Sequence, residues 1–515
     1  MKIKLWVSFY LIFSTFVLFG QDSKRNDFWV IGSLPVVKYD FNNILQIDTV
    51  TNTSLSTTPY CILSTSSSCI SDTNGQLQFF TNGFILYDHE GYAMDSGIYV
   101  NCPQGKILAN YYGMSLFDQT SIILPKKGNT YYVFSTGMSD SVANNYLNHV
   151  LTEFDVLNYS VVDMDSNSGL GKVVQKNVVL ADKQHYFNCA MQAVKHSNGK
   201  DWWLVKADCN NNRYQEFLVK EDTILGPFYQ NISNIGDWCV SYSELYFSHD
   251  GSKLASSIYG KFEGTLNNRN RVDIYDFNRC SGELTFEKYY IVPYDTSSYP
   301  NNDFKNGVCF SANDSLLYMC NLYTIYQIDL NDTNTYNPTF IHGPDTTISQ
   351  FPFYEHMAVA PNGKLYIGNC NGTRKFMSYI DSPNIKGLGC HFVPQGVWQP
   401  YTNLMSPPNM PNYGLGVDSS NLGCWTLQLN PDPVMQAEED VHVYPNPAND
   451  VLTIKVQESL SEVLLLDMAG RAIKSETALH TNTYTLTVSD LPRGVYLLQV
   501  NTQSGTCYYR KVLLE

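Results

Sequence analysis

Clustered positive charge is missing from this sequence. Lys and Arg number 33 against 48 Asp and Glu, a formal net charge of −15 over 515 residues, and no basic run stands out. Phosphate recognition needs Lys and Arg grouped on one surface, so a nucleic-acid partner is excluded. Charge of either sign is also scarce: 16% of residues are charged, against about a quarter in a typical soluble domain. Asn, Ser, Thr, Gly and Tyr take up the difference, and these suit strands and turns better than helices. Beyond the first twenty residues no apolar run is long enough for a bilayer-spanning helix, and helical periodicity is nearly absent. There is no Cys-x-x-Cys pair and no His grouped with cysteines, which argues against zinc. The nucleophile elbow, the His-Glu-x-x-His helix, the phosphate-cradling loop and the dinucleotide glycine fingerprint are all missing as well. No metal and no cofactor are therefore expected.

The single long apolar run, Leu5 to Phe19, follows Met1-Lys2-Ile3-Lys4 and precedes Gly20-Gln21-Asp22. A positive start, a short apolar core and a small residue before a polar segment describe a signal peptide over residues 1–20. A membrane anchor is the rival reading, but the run is short and holds Ser8, Ser14 and Thr15. No Cys sits at the boundary, so a lipoprotein anchor is not indicated. All thirteen cysteines follow the signal, and export to an oxidising compartment predicts pairing. Cys189 and Cys209 lie almost symmetrically about the turn at Ser197-Asn198-Gly199, as do Cys309 and Cys320 about Asn313-Asp314. Both pairs are candidate cross-strand disulfides. The odd count leaves a free thiol, for which Cys507 is the candidate.

Short strand-like runs alternate with tight polar turns through the body of the chain. Six stretches share one pattern, an apolar strand, a turn with Gly, Asn or Asp, and a second strand. They are centred on Asp72-Thr73-Asn74-Gly75, Lys127-Gly128-Asn129, Ser197-Asn198-Gly199, His249-Asp250-Gly251, Asn313-Asp314 and Pro361-Asn362-Gly363. Asn-Gly and Asp-Gly tolerate the positive φ that two-residue hairpin turns demand. The spacing of about fifty to seventy residues exceeds the roughly 40–50 of standard propeller blades, so inserted loops are expected. A seventh blade is expected from His391 to Gly416 joined to the strand near Phe28 to Phe41. The expected fold is all-β: a seven-bladed β-propeller over residues 21–430, a polar linker over 431–440, and a small Ig-like β-sandwich over 441–515. In the last module Leu452, Ile454 and Val456 alternate with polar neighbours, as do Tyr484, Leu486 and Val488, and then Tyr496, Leu498 and Val500.

That module carries Val443-Tyr444-Pro445-Asn446-Pro447-Ala448-Asn449-Asp450, then Leu466-Asp467-Met468-Ala469-Gly470-Arg471. It ends with Leu491-Pro492-Arg493-Gly494-Val495-Tyr496-Leu497-Leu498-Gln499-Val500 and Lys511-Val512-Leu513. In order and spacing these resemble the type A C-terminal sorting domain of the type IX secretion system of Bacteroidetes. The resemblance implies that Tyr444, Pro445, Asn446, Pro447, Asp467, Gly470, Arg471, Gly494 and Tyr496 belong to the sorting motif. It implies type IX secretion machinery and a sortase-like protease as partners, a cut in the linker before Val441, and release or attachment to surface lipopolysaccharide. The middle region resembles propellers of other such proteins, through Phe28-Trp29-Val30-Ile31-Gly32, Ile70 to Gly83, Pro408-Asn409-Met410-Pro411-Asn412-Tyr413 and Phe247-Ser248-His249-Asp250-Gly251. That resemblance implies a fold and no activity.

Polar residues just before each turn unit should ring one mouth of a propeller: Asp118, Gln119, His185, Asn188, Glu244, Glu355 and His356. A propeller glycoside hydrolase acting on extracellular glycans would need two carboxylates converging there, and Asp118, Glu244 and Glu355 are the candidates. The favoured reading is a binding or interaction module with a glycan or protein ligand. Two further features have bland alternatives. Asp163 to Gly169 places oxygens in alternation but lacks the glycine and acid spacing of a calcium loop, so it reads as a strand-connecting turn. Trp202-Trp203 and Tyr111-Tyr112 suit sugar stacking, yet aromatics also simply favour strands.

Overall fold

The computed structural model describes residues 22–418, Cys424 and 441–515, apart from 51–61, 102–118, 143–153, 232–237, 241–243, 262–268, 292–306, 333–337, 344–353, 370–374, 400–405, 467–471, 504–506 and a few shorter stretches. The expected signal peptide and linker lie outside the described residues. The chain divides into two compact units, Met1–Val417 and Asp418–Glu515.

The first unit is built of antiparallel sheets in a propeller-like arrangement. Phe28–Ser33, Val36–Asp40 and Gln46–Val50 form a sheet that Ile62–Leu63 completes by returning to Phe28–Ser33. The later sheets begin in turn with Ser68–Ser71, Ser121–Pro125, Met191–Lys195, Trp238–Val240 followed by Leu245–Phe247 along the same partner strand, Gly307–Phe310 and Tyr354–Val359. These first strands lie against one another in chain order. The second and third sheets are joined into one eight-stranded sheet by a single parallel pair, Lys172 with Asp95. Lys176 Nζ, Asn177 Nδ2 and Asn158 Nδ2 donate to the carbonyls of Ile98, Tyr99 and Asn101, which holds the end of the second sheet to the third.

Each sheet is buried on both faces, and the strand period of two decides which neighbour each side chain meets. Leu316–Cys320 shows this: Leu317 and Met319 join the layer shared with the fifth sheet, whereas Leu316, Tyr318 and Cys320 join the layer shared with the seventh. Burying each such side chain contributes about 1.5–3 kcal/mol. The last sheet packs on the first: Trp29, Ile31, Tyr39 and Phe41 meet Ala358, Tyr366 and Met377. Gln399 Nε2 donates to Tyr39 Oη at 2.6 Å in the same layer.

All six expected turns join the first two strands of their sheets. The side-chain oxygens of Asp72, Asn198, Asp250, Asn313 and Asn362 accept backbone N–H groups within five of the turns. Gly251, at φ +74°, also permits close packing: a Cβ there would come within 2.7 Å of Val194 and 2.8 Å of Leu415.

Two expectations are corrected. The segment from His391 to Gly416 does not combine with Phe28 to Phe41 in a shared sheet. Phe392–Trp398 pairs with Phe376–Ile380 as the last strand of the final sheet, and the N-terminal strands have their own. Cys309 and Cys320 are buried thiols that are not joined in a disulfide. Register explains it: Cys309 lies opposite Tyr318 and Cys320 opposite Gly307, so the two are not cross-strand neighbours. Cys189 and Cys209 fall outside the described residues, as does the side chain of Cys507.

The second unit has two sheets around its own core. Val441–Tyr444, Val451–Val456 and Thr483–Thr487 form one; Leu460–Leu466, Ala472–Thr477, Gly494–Thr502 and Cys507–Leu514 form the other. Leu452, Ile454, Val456, Leu486, Val488, Tyr496, Leu498 and Val500 all face that core, as their alternation requires.

Candidate functional site

Glu244 stands immediately before Leu245–Phe247 of the fifth sheet and is 3% exposed. Its Oε2 accepts the Val308 amide at 3.0 Å, and its Oε1 pairs with His356 Nδ1. One carboxylate thus ties the first strands of the fifth, sixth and seventh sheets together. Both its oxygens are engaged inside the fold. Glu355 and His356, adjacent to each other in sequence, are both buried, at 4% and 2% exposure, and the Glu355 carbonyl accepts from Cys320 Sγ. Gln119 crosses from the third sheet to the fifth: its Nε2 donates to the Leu245 carbonyl and its Oε1 accepts the Leu245 amide, both at 2.9 Å. Asp118, His185 and Asn188 lie outside the described residues. The predicted ring therefore contributes Gln119, Glu244 and His356 as clasps between sheets.

Sequence reasoning missed what occupies the space between the first strands. Residues 406–417 run there without regular structure. Proline lacks an amide donor, and an isolated extended segment has no ladder, so its polar groups must be satisfied by the surroundings. Asn409 does so completely. Its Nδ2 donates to the carbonyls of Ser121 and Met191, both at 3.0 Å, and its Oδ1 accepts from Gln192 Nε2 at 3.0 Å. Its amide donates to Ser67 O at 2.7 Å, and its carbonyl accepts Ser68 Oγ at 2.8 Å. Tyr413, fully buried, donates to the Ile123 carbonyl at 2.6 Å, and Trp202 packs edge-on against its ring. The short 3-10 turn Asp22–Asn26 braces the same region. Asp22 bonds both Arg25 and Lys195, the latter at 2.7 Å. Burial works to raise the Asp22 carboxyl, but Lys195 and Arg25 outweigh it and hold the group below its ordinary value. The repeated proline and asparagine of Pro408-Asn409-Met410-Pro411-Asn412 were the available signal.

Beside this segment lies a cavity of about 430 Å³, within the range of roughly 300–1,000 Å³ typical of small-molecule sites. Small side chains are prominent in its lining: Ala193 from the fourth sheet, Ala312 from the sixth, and Ala358 and Ala360 from the seventh. Pro408, Met410, Pro411 and Asn412 line it as well.

Trp202 and Trp203 are buried, at 3% and 5% exposure, so neither offers a face to a sugar; Trp203 Nε1 donates to Arg279 O at 3.0 Å. Tyr111 and Tyr112 lie outside the described residues. Asp163 to Gly169 connects two antiparallel strands, with Asp163 accepting the Asp165 amide at 3.0 Å and Ser166 Oγ at 2.9 Å.

In the second unit, Asn446 Oδ1 accepts the Leu513 amide at 2.8 Å, and Ala448 exchanges backbone bonds with Leu513 and Glu515. The Pro-Asn-Pro stretch is thereby fastened to the final strand. Tyr444 is exposed, as are Pro445 and Pro447. Gly494 lies opposite Leu514, and Tyr496 donates its hydroxyl to Pro492 O at 2.8 Å. Asp467, Gly470 and Arg471 fall outside the described residues.

Residues 442–515 match the family model described as the secretion system C-terminal sorting domain. This supports a type IX secretion substrate and implies interaction with that machinery, export, and a secreted or cell-surface location. Among the described residues no helix is long and apolar enough to cross a membrane. None of the curated proteins matches the chain. Similar solved structures include a functionally unknown protein from Desulfotomaculum acetoxidans, 9% identical with a TM-score of 0.38, covering 74% of this chain and 99% of its own. Another is the periplasmic gluconolactonase PpgL of Pseudomonas aeruginosa, 11% identical with a TM-score of 0.35, covering 84% and 97%.

Proposed function

We propose that this chain is an exported, seven-bladed β-propeller that acts as a binding module outside the cell, delivered by the sorting domain at its C-terminus. In this reading a signal peptide is removed after Gly20, the tail directs outer-membrane passage, and a sortase-like protease cuts before Val441. The protein is then released or joined to surface lipopolysaccharide. The second unit serves as an Ig-like carrier for the sorting motif.

The observation that carries binding over hydrolysis is the occupancy of the ring axis. Asn409 and its neighbours fill the space where a glycosidase would hold substrate, and Glu244 has both oxygens engaged by Val308 and His356. A two-carboxylate mechanism needs one acid free to donate a proton and a second free to act as base or nucleophile. Glu244 supports sheet-to-sheet cohesion instead.

The test is a glycan array run with the purified chain beside a hydrolysis assay on the same glycans. Binding without turnover is expected. His356→Ala should lower stability by about 3–5 kcal/mol, the range for breaking a buried pair, while ligand affinity stays unchanged at temperatures where the variant is folded. Turnover abolished by Glu244→Gln in a folded variant would replace this reading with the hydrolase.

A further inference from the structure

Asp27 stands between the 3-10 turn Asp22–Asn26 and the strand Phe28–Ser33, and it is 9% exposed. Its backbone is satisfied: the amide donates to Lys24 O at 3.1 Å, and the carbonyl accepts the Phe41 amide at 2.8 Å. Its carboxylate is not. Among the described residues it accepts no hydrogen bond and pairs with no cation, and Lys24, three residues earlier, is exposed. Buried charges are ordinarily paired or bound to a metal. Asn42 supplies a second acceptor beside it. Asn42 Nδ2 donates to Asp40 Oδ1 at 2.9 Å and to Gly75 O at 3.0 Å. Both partners are acceptors, so the amide cannot be turned round, and its Oδ1 is directed away from them. That oxygen too takes no donor among the described residues. Asn42 Oδ1 and Asp27 Oδ2 lie 2.4 and 2.7 Å from the point that a Cβ on Gly75 would occupy. Two acceptors thus face one small space, which glycine at position 75 leaves open. Burial holds the Asp27 carboxyl above its ordinary value; Lys24 opposes the shift and Asp40, a second negative charge, adds to it.

We propose that this space binds a hard divalent cation, calcium or magnesium, with the Asp27 carboxylate and Asn42 Oδ1 as protein ligands and water completing the shell. Asp40 is a positioning residue, since it holds the Asn42 amide with Oδ1 toward Asp27. Oxygen ligands alone, one anionic and one a neutral carbonyl, suit such an ion. The cysteine and histidine spacing that argues against zinc has no bearing on an all-oxygen set. Two protein ligands make a weak site, in the range of about 10⁻⁴–10⁻³ M found in extracellular modules. The ligands flank the first two strands of the first sheet, and Gly75 belongs to a turn of the second. A bound ion would therefore tie the N-terminal segment to both sheets.

Calcium chloride and magnesium chloride are each titrated into the full chain, stripped of metal by a chelator, at constant ionic strength. Binding is followed by calorimetry and the unfolding midpoint by thermal scans. Saturable binding of one ion per chain is expected, half complete at about 10⁻⁴–10⁻³ M, with a midpoint that rises and levels off as the site fills. The tighter of the two identifies the ion. Asp27→Asn keeps the shape and removes the charge, and an amide there can donate to Asn42 Oδ1. This variant should bind at least tenfold more weakly, with an ion-free midpoint no lower than the parent's. Asp222→Asn, at a carboxylate 75% exposed and remote in sequence, should bind as the parent does. Equal binding and equal midpoint shifts in the parent and Asp27→Asn would overturn the assignment. So would the absence of saturable binding up to about 10 mM, ten times the weak end of that range. A matching loss in Asp222→Asn would mark the binding as general attraction to surface charge, and would overturn it too.

Discussion

Glu216 sits on Arg213–Val219 with Val205 and Phe228 as its cross-strand neighbours. Gln230 Nε2 donates to its Oε2 at 2.6 Å, and its Oε1 is buried without a partner. Burial pushes its pKa up from 4.5 to about 8, with the Gln230 bond opposing. A carboxyl raised on folding binds its proton more tightly in the native state. Its contribution is therefore full below pH 4.5 and is lost as pH rises to about 8. The Glu216→Gln variant should match the parent near pH 5 and be more stable by a few kcal/mol at pH 8. Thermal unfolding at pH 5, 6.5 and 8 checks this, and parallel curves for the two proteins would refute it. Of the residues singled out by sequence, Glu244 was visible as an acid at a strand start. Its role was not, because His356 lies 112 residues away and only packing brings the two together.

Turns of neighbouring sheets are stitched to one another. Asp314, itself at φ +57°, accepts the amides of His249 and Asp250 at 2.7 and 2.9 Å. The next turn continues the pattern, with Asn313 N donating to Asn384 Oδ1 at 3.1 Å. Arg279 does the same work between the fourth and fifth sheets, donating to the carbonyls of Lys195 and His196. Asp314→Ala removes two charge-assisted bonds and should cost about 2–4 kcal/mol, whereas Asp314→Asn keeps one acceptor and should cost about half as much. Chemical denaturation of the two variants decides it, and an Asp314→Asn variant as stable as the parent beside a weakened Asp314→Ala would show that strain at the positive φ, which Asn tolerates as well as Asp, is responsible and the clasp is not. The turns were legible because Asn-Gly and Asp-Gly act within four residues. Their partners across sheets were not, since nothing local selects them.

At the scale of the molecule, each unit has its own apolar core, and among the described residues of the second unit fifteen buried apolar side chains form one cluster. A module of this size buries little surface and is marginal alone. Calorimetry of the full chain should show two transitions, the weaker one vanishing when residues 441–515 are deleted while the other keeps its midpoint. A single transition that shifts on deletion would contradict this. In a host with the type IX system, the same deletion should leave the protein in the periplasm.

The sequence by itself determined the all-β class, the six hairpin turns, the alternation that builds the tail module and the presence of a sorting domain, because each depends on neighbours within a few residues. Only the tertiary structure decided that Phe28–Ser33 heads a sheet of its own, that Cys309 and Cys320 stay apart, and that residues 406–417 lie between the first strands. Asn409 meets Ser68, Ser121 and Met191 across 341, 288 and 218 residues of chain. Contacts of that separation follow from how the sheets close on one another, and a one-residue change of register would send every one of those side chains to the opposite face.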